Sequence, residues 1–73
     1  MEYRVSYDPM ADVLFIRARD DKIVDILEID DEVVVDFNEH GEVVGVEIIN
    51  FSKSKVDLDG VMREGLEILI PIR

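Results

Sequence analysis

Cysteine is absent from this chain of 73 residues, and histidine occurs once, at position 40. Without cysteine the chain has no disulfide and no thiolate zinc site, and one histidine excludes a multi-histidine metal site within one chain. Basic residues are also few, with 8 Lys and Arg against 18 Asp and Glu and a formal net charge of −10. Such a chain repels phosphate, so we expect no nucleic-acid partner and no docking on anionic membranes.

Long apolar runs are missing as well. No stretch approaches the roughly 18 residues needed to span a bilayer, and the first residues, Met1 to Arg4, show no pattern of a signal peptide. At 48% hydrophobic residues the chain is too apolar for disorder, so we expect a folded, cytoplasmic protein. Gln is absent, only two Asn occur, and 36% of the residues are charged. Few thermolabile residues together with many charged ones are typical of thermophile proteins.

The small size of the chain predicts one domain, residues 1–73, that needs help to be stable. A domain of this length buries only about 60% of the surface that its unfolded chain exposes. Because disulfides are excluded, self-association is the commonest remaining device. We therefore predict a homodimer, formed either by an exposed strand edge or by the second apolar face of a sheet.

The negative charge is concentrated in the middle of the sequence. Residues 20–50 hold eleven acidic residues and one basic residue, Lys22, which accounts for the whole net charge. This stretch predicts either an acidic face for a basic protein partner or a solvated surface that keeps the protein soluble.

The pattern of apolar residues predicts an α+β fold, mostly β, with a small antiparallel meander sheet of about five to six strands. The strands are expected near 3–7, 13–16, 23–29, 32–37, 42–49 and 66–72. The uninterrupted run Val13 to Ile16 is typical of a central strand covered on both faces. One short helix is expected near 58–64, with Asp57 as its N-cap and Gly65 at its end.

The turn Asn38-Glu39-His40-Gly41 predicts a hairpin whose register is contested by two rules. Turn chemistry favours Asn38 opposite Glu42, with Gly41 left-handed in a bulge. Side-chain matching favours Phe37 opposite Glu42 instead, because apolar residues would then face each other on both strands.

No catalytic or cofactor motif is present, and we expect a protein that is not an enzyme and binds no cofactor or metal. His40 lies at a hairpin tip and is interpreted as a solvated turn residue. A calcium loop starting at Asp57 would end at Ile68 rather than at Glu. Asp8 and Asp12 are two carboxylates on one turn, either a cation site or, as we favour, structural residues with Asp8 capping the turn before Pro9.

Two spaced motifs resemble a family of small prokaryotic proteins, domain of unknown function 2283. Its members begin Y-D-x-x-x-D-x-L-Y-I and continue to a turn followed by V-V-G-I-E-I, and the resemblance covers roughly residues 3–52. The matching residues of this chain are Tyr7, Asp8, Asp12, Leu14, Ile16, Gly41, Gly45 and Glu47. The resemblance implies a compact β-rich fold, structural roles for these residues, no established activity and, as one alternative, an antitoxin-like partner of a small basic toxin. A small enzyme or metal site between subunits, using Asp8, Asp12 and His40, is the other alternative.

Overall fold

The computed structural model describes residues 3–69. Five antiparallel strands form one sheet and are followed by short helices, which confirms the α+β, mostly β fold class. The elements are β1 (Arg4–Asp8), β2 (Val13–Arg17), β3 (Asp25–Glu28), β4 (Val33–Phe37), β5 (Val43–Ile49), a 3-10 helix (Phe51–Lys53), α1 (Leu58–Glu64) and a second 3-10 helix (Leu66–Leu69).

The strand order is β1-β2-β5-β4-β3, so the sheet is not the simple meander that we predicted. The hairpin β1–β2 and the three-strand run β3–β4–β5 each join neighbours in sequence. They meet where β2 pairs with β5, for example Leu14 opposite Ile48 and Ile16 opposite Val46. This pairing makes β5 the middle strand and brings the two family motifs side by side.

The core lies on one face of the sheet, under the helices. Alternation along the strands sends side chains of β2, β4 and β5 to this face, where α1 and the second 3-10 helix cover them. The buried cluster consists of Leu14, Ile16, Val33, Val35, Val46, Ile48, Val61 and Leu66. In β2, by contrast, Phe15 points to the other face and is 39% exposed, so the predicted cover on both faces of this strand is wrong within the described residues.

The β4–β5 hairpin has the register that turn chemistry favours at its loop, and the alternative with Phe37 opposite Glu42 is wrong. At the loop, the Asn38 amide donates to the Glu42 carbonyl over 3.0 Å and Gly41 has φ 77°, as turn chemistry requires. Phe37 pairs with Val43 but Asp36 pairs with Gly45, so Val44 is the extra residue of a bulge. Beyond this bulge the apolar side chains face each other again, because the inserted residue shifts the register by one.

The helix predicted near 58–64 is confirmed as α1. The Asp57 side chain accepts from the Gly60 amide over 3.0 Å, and the helix ends at Gly65. The strand predicted over 66–72 is wrong at its start, since Leu66–Leu69 is a 3-10 helix. Leu66 is buried in the core, and its amide donates to the Tyr3 hydroxyl, so contacts with the sheet outweigh the alternating pattern. The remainder of that predicted strand, including Pro71, lies outside the described residues.

Candidate functional site

Asp8 and Asp12, the carboxylates of the first motif, both accept hydrogen bonds from the surrounding chain. Asp8 Oδ1 accepts from the amides of Met10 and Ala11, at 3.0 and 3.2 Å, which is the geometry of a capped turn. Asp12 has a left-handed backbone with φ 56°. Its main-chain carbonyl accepts from the Phe51 amide over 3.0 Å, which ties the β1–β2 turn to the chain after β5.

The side chain of Asp12 joins three segments of the chain. Oδ1 accepts from the Tyr7 hydroxyl at 2.6 Å and from the Ser52 amide at 3.0 Å, and Oδ2 accepts from Ser52 Oγ at 2.6 Å. These bonds from Ser52 and Tyr7 lower the pKa of Asp12, and the bond to Asp12 raises the pKa of Tyr7. The Tyr7 ring also meets the edge of Phe51, with 5.9 Å between the centroids. Both carboxylate oxygens are therefore used to hold the fold.

The second hairpin turn is organised by Asn38, which is 4% exposed. Its Nδ2 donates to Asp21 Oδ2 and Glu42 Oε1, at 2.8 and 2.9 Å, and its Oδ1 accepts from the amides of His40 and Glu42. The bond from Asn38, followed by the charge of Arg19, lowers the pKa of Glu42. His40 itself is exposed at the tip. The structure thus places His40 at the far end of this loop and not with Asp8 and Asp12.

The face of the sheet opposite the helices is covered by no residue of the described range 3–69, and we call it the open face. Its side chains lie in two central rows across the strands, in the order β1, β2, β5, β4, β3. The first row is Arg4, Arg17, Gly45, Asp36 and Ile26. The second row is Ser6, Phe15, Glu47, Val34 and Glu28. A shallow groove of about 640 Å³ lies at its β1–β2 side, beside Arg4, Ser6 and Phe15.

A pair of carboxyl groups, Asp36 and Glu47, lies at the centre of the open face. Asp36 is only 6% exposed, and its Oδ1 has no hydrogen-bond partner among the described residues. Burial raises the pKa of Asp36, although a hydrogen bond from Glu47 and the charge of Arg17 oppose this. Burial, then the charge of Asp36 and the hydrogen bond to it, raise the pKa of Glu47. One proton shared between the two groups fits these directions.

Gly45 separates Arg17 from Asp36 in the first row of the open face. A Cβ at this position would lie 2.8 Å from the Ile16 carbonyl oxygen, so the close approach of β2 and β5 requires glycine. Arg17 directs its side chain to the segment after β2, where Nε donates to the Arg19 carbonyl and Nη2 to the Asp21 carbonyl. Within one chain, Arg17 and the buried carboxylate of Asp36 lie on the two strands that flank β5, and the charge of Arg17 acts on Asp36 across it.

Sequence reasoning singled out Gly45 and Glu47 but missed Asp36. A signal was present, because Asp36 is the one acidic residue within the apolar segment 33–37 and alternation places it on the face opposite Val35. What sequence could not supply was the bulge that sets Asp36 opposite Gly45 and hence near Glu47.

The described residues show neither a metal-binding cluster nor a helix that could span a membrane. Between residues 3 and 69, no group of three or more His, Cys, Asp or Glu side chains is arranged to hold a metal ion. In the same part of the chain, the helices are too short and too polar for any of them to cross a bilayer.

Comparison with known proteins identifies a family and one relative. Residues 4–52 match the family described as protein of unknown function (DUF2283). The uncharacterized protein MJ0789 of Methanocaldococcus jannaschii, a thermophilic archaeon, is 40% identical over 53 residues. The alignment covers 73% of this chain and 45% of the relative, so the chain spans about half the length of that protein. No solved structure matches the chain.

Proposed function

The chain belongs to the DUF2283 family of proteins of unknown function, and we propose that it is a non-enzymatic protein-interaction module that self-associates through its open face. The supporting observation is that this face exposes apolar side chains. It carries apolar side chains such as Phe15, which is 39% exposed, and Ile26, which is 58% exposed, around a carboxyl oxygen of Asp36 that has no partner among residues 3–69. Exposed apolar side chains are more stable when a second surface covers them, and a polar group without a partner calls for one that can donate to it.

The size of the domain supports the same proposal. The core on the helix side draws on a single layer of short helices, and a domain of this size buries so little surface that cover on the second face of the sheet would add to its stability. A second copy provides cover without any additional gene product. Stacked sheets lie about 10 Å apart, so side chains of the two open faces would interdigitate.

A basic partner for residues 20–50 is less well supported than self-association, because much of the acid is already used within the chain. Asp20 forms an ion pair with Arg4, and Asp21 accepts from Asn38. Asp30 accepts from the amides of Glu32 and Val33 in the turn before β4. The antitoxin-like role implied by the family resemblance stays an alternative prediction, for which the exposed acids of β3 would be the contact.

Sedimentation velocity over a concentration series tests the proposal. We expect the wild-type chain to reach twice its 8.4 kDa as its concentration rises. Phe15→Glu adds a charge to the open face and should give a monomer at all concentrations. Met10→Glu is the matched control, because Met10 is 95% exposed in the β1–β2 turn, away from the open face. A wild-type chain that sediments at 8.4 kDa throughout would overturn the proposal, as would equal association by both variants.

A further inference from the structure

We infer that two copies stack their open faces about a two-fold axis parallel to β5, so that Arg17 of the partner subunit lies over Asp36 and completes its hydrogen bonding. The inference rests on the proposed self-association and adds its geometry and its specificity. In this geometry the contact between Arg17 and Asp36 makes the open face bind a second copy of the same chain.

The charges of the open face are divided between its two halves. On one side of β5 lie the cations Arg4 and Arg17, on β1 and β2, each also within ion-pair distance of the exposed Asp20 of the same chain. On the other side lie the carboxylates Asp36 and Glu28, on β4 and β3. Because β5 is the middle strand of five, it marks the boundary between a basic and an acidic half.

This division selects one of the two symmetric ways to stack the faces. A two-fold axis parallel to the strands places β2 over β4 of the partner, and β1 over its β3, so that opposite charges meet. An axis perpendicular to the strands places each half over the same half of the partner, so that like charges meet. The first arrangement brings like charges together only at Glu47, which lies on β5 and therefore faces its own copy. The second brings like halves together throughout, and since like charges across an interface are disfavoured, the first is selected.

The first row of the open face then becomes self-complementary. Read from β1 to β3 it runs Arg4, Arg17, Gly45, Asp36, Ile26, and the partner presents the same row in the reverse order. Arg17 lies opposite Asp36 twice in each dimer, and Gly45 lies on the axis. Glycine leaves the centre of the row without a side chain, which makes room for the long arginine side chains. Packed sheets cross at about 30°, a rotation that a flexible arginine side chain can follow.

Both members of the contact have capacity to form it. Asp36 Oδ1 has no hydrogen-bond partner among the described residues, and because it is closed off from solvent in the single subunit, the carboxylate has to turn outward to meet Arg17 of the partner subunit. Arg17 uses Nε and Nη2 on two carbonyl oxygens, and a guanidinium has five N–H donors in all. A guanidinium seated on a carboxylate in a covered site is the pairing that arginine favours at interfaces.

The area of the open face predicts a reversible dimer. Five strands about 4.8 Å apart and five residues about 3.3 Å apart give a footprint of roughly 400 Å² for each copy. Roughly 800 Å² for both copies lies below the range of about 1,200–2,000 Å² of stable specific interfaces, so we expect a weak, transient dimer. Measurements from about 1 µM to 1 mM would cover the affinity of such a dimer.

Complementary charge reversals test the contact. In the homodimer of Arg17→Asp, the introduced aspartate faces Asp36 of the partner subunit. In the homodimer of Asp36→Arg, the introduced arginine faces Arg17 of the partner subunit. Each homodimer should be at least about tenfold weaker than wild type. An equimolar mixture should regain dimers, because both contacts of the mixed dimer pair Asp with Arg. Native mass spectrometry identifies the mixed dimer by its mass.

The double variant R17D/D36R separates contacts between subunits from contacts within one. It should form homodimers but should not mix with wild-type subunits, whose charges would face like charges. Free mixing with wild type, or no recovery in the equimolar mixture of single variants, would overturn the inference. Circular dichroism of each variant establishes that it is folded before its dimerisation is compared.

Cross-linking between introduced cysteines tests the axis without altering the two charged residues. The chain has no cysteine, and Ser6 and Glu28 are exposed residues of the second row on β1 and β3. With a spacer of about 10 Å, the distance between packed sheets, mixed Ser6→Cys and Glu28→Cys chains should cross-link to each other more than to themselves. Preferred Ser6→Cys homodimers would instead show the perpendicular axis.

A wild-type monomer would overturn the proposed function itself, whereas a dimer with the wrong cross-links or no charge rescue would overturn only this geometry.

Discussion

Replacing Asp36 by Asn is expected to have opposite effects on the isolated subunit and on the dimer. In the subunit, Asp36 is 6% exposed, its Oδ1 lacks a hydrogen-bond partner among residues 3–69, and burial raises its pKa. Asparagine has the same shape, carries no charge and can donate to Glu47. Leaving a charged or polar group buried and unsatisfied costs about 1–3 kcal/mol. Because the asparagine oxygen stays without a partner and only the charge is removed, we expect the variant to gain a free energy of unfolding at the low end of that range, about 1 kcal/mol, at pH 7.

The gain should depend on pH in a direction fixed by the two raised pKa values. A carboxyl group whose pKa is higher in the folded than in the unfolded state stabilises the fold at pH values below its unfolded-state pKa. This contribution to stability is lost as pH rises through the folded-state pKa. The ordinary pKa values are 3.8 for Asp36 and 4.5 for Glu47. Four charged residues share the two rows of this face with Asp36, namely Arg4 on β1, Arg17 on β2, Glu47 on β5 and Glu28 on β3. The advantage of Asp36→Asn should therefore be smallest near pH 4 and should increase toward pH 8.

Thermal unfolding followed by far-UV circular dichroism measures this difference, because the chain has no tryptophan for fluorescence. At low micromolar concentration, a gain of 1 kcal/mol corresponds to a rise in Tm of about 4–8 °C for a domain of this size. At high concentration the same variant lacks the contact with Arg17 of the partner subunit, so its Tm should increase less with concentration than that of wild type.

Asp31→Asn is the matched control for this experiment, since Asp31 is an exposed residue of the turn before β4 and carries the same charge. It should leave both the pH dependence and the concentration dependence unchanged. A lower Tm for Asp36→Asn at low concentration, with the same difference from wild type at every pH, would refute the reasoning, because it would show that the buried carboxylate stabilises the subunit.

Three further predictions concern the fold. Asp12→Ala should lower Tm more than Asp12→Asn, because asparagine also tolerates the left-handed backbone and keeps hydrogen bonds. In wild type these hydrogen bonds lower the pKa of Asp12. In thermal melts, the excess stability of wild type over Asp12→Asn should therefore diminish as pH falls through that pKa. Gly45→Ala should lose about 1–3 kcal/mol in urea unfolding, as its Cβ would meet the Ile16 carbonyl oxygen at 2.8 Å, and a change below 0.5 kcal/mol would contradict this. Leu66→Ala should lose about 2–5 kcal/mol in the same assay, against little change for Met62→Ala, which is 41% exposed.

Local rules predicted most of the secondary structure because the signals were strong and close in sequence. Alternating apolar residues located β1 and β5 within one or two residues, and Asp57 and Gly65 bounded α1 correctly. The hairpin loop also followed its turn chemistry, with Gly41 left-handed. In each case the interaction that decides the structure lies within a few residues of the signal.

Predictions that depended on contacts distant in sequence were wrong or stayed open. The pairing of β2 with β5 joins residues 28 to 36 positions apart, and no turn specifies it. The segment 66–69 alternates like a strand, yet Leu66 is buried beside Val61 in the core as part of a 3-10 helix. Burial against the sheet outweighed the local pattern there, which is the general limit of β propensity.

The motif residues of the family divide into two groups with different physical roles. Tyr7, Asp8 and Asp12 use their polar atoms on the turn and on Ser52, so the first group holds the hairpin against the end of β5. Gly45 and Glu47 instead lie on the open face, where the glycine lets β2 approach and the carboxyl group shares the environment of Asp36. Substitutions in the first group should therefore change stability at every protein concentration. Substitutions of Glu47 that keep its shape, such as Glu47→Gln, should act mainly on association, because this side chain lies at the centre of the surface that we propose is shared by two copies.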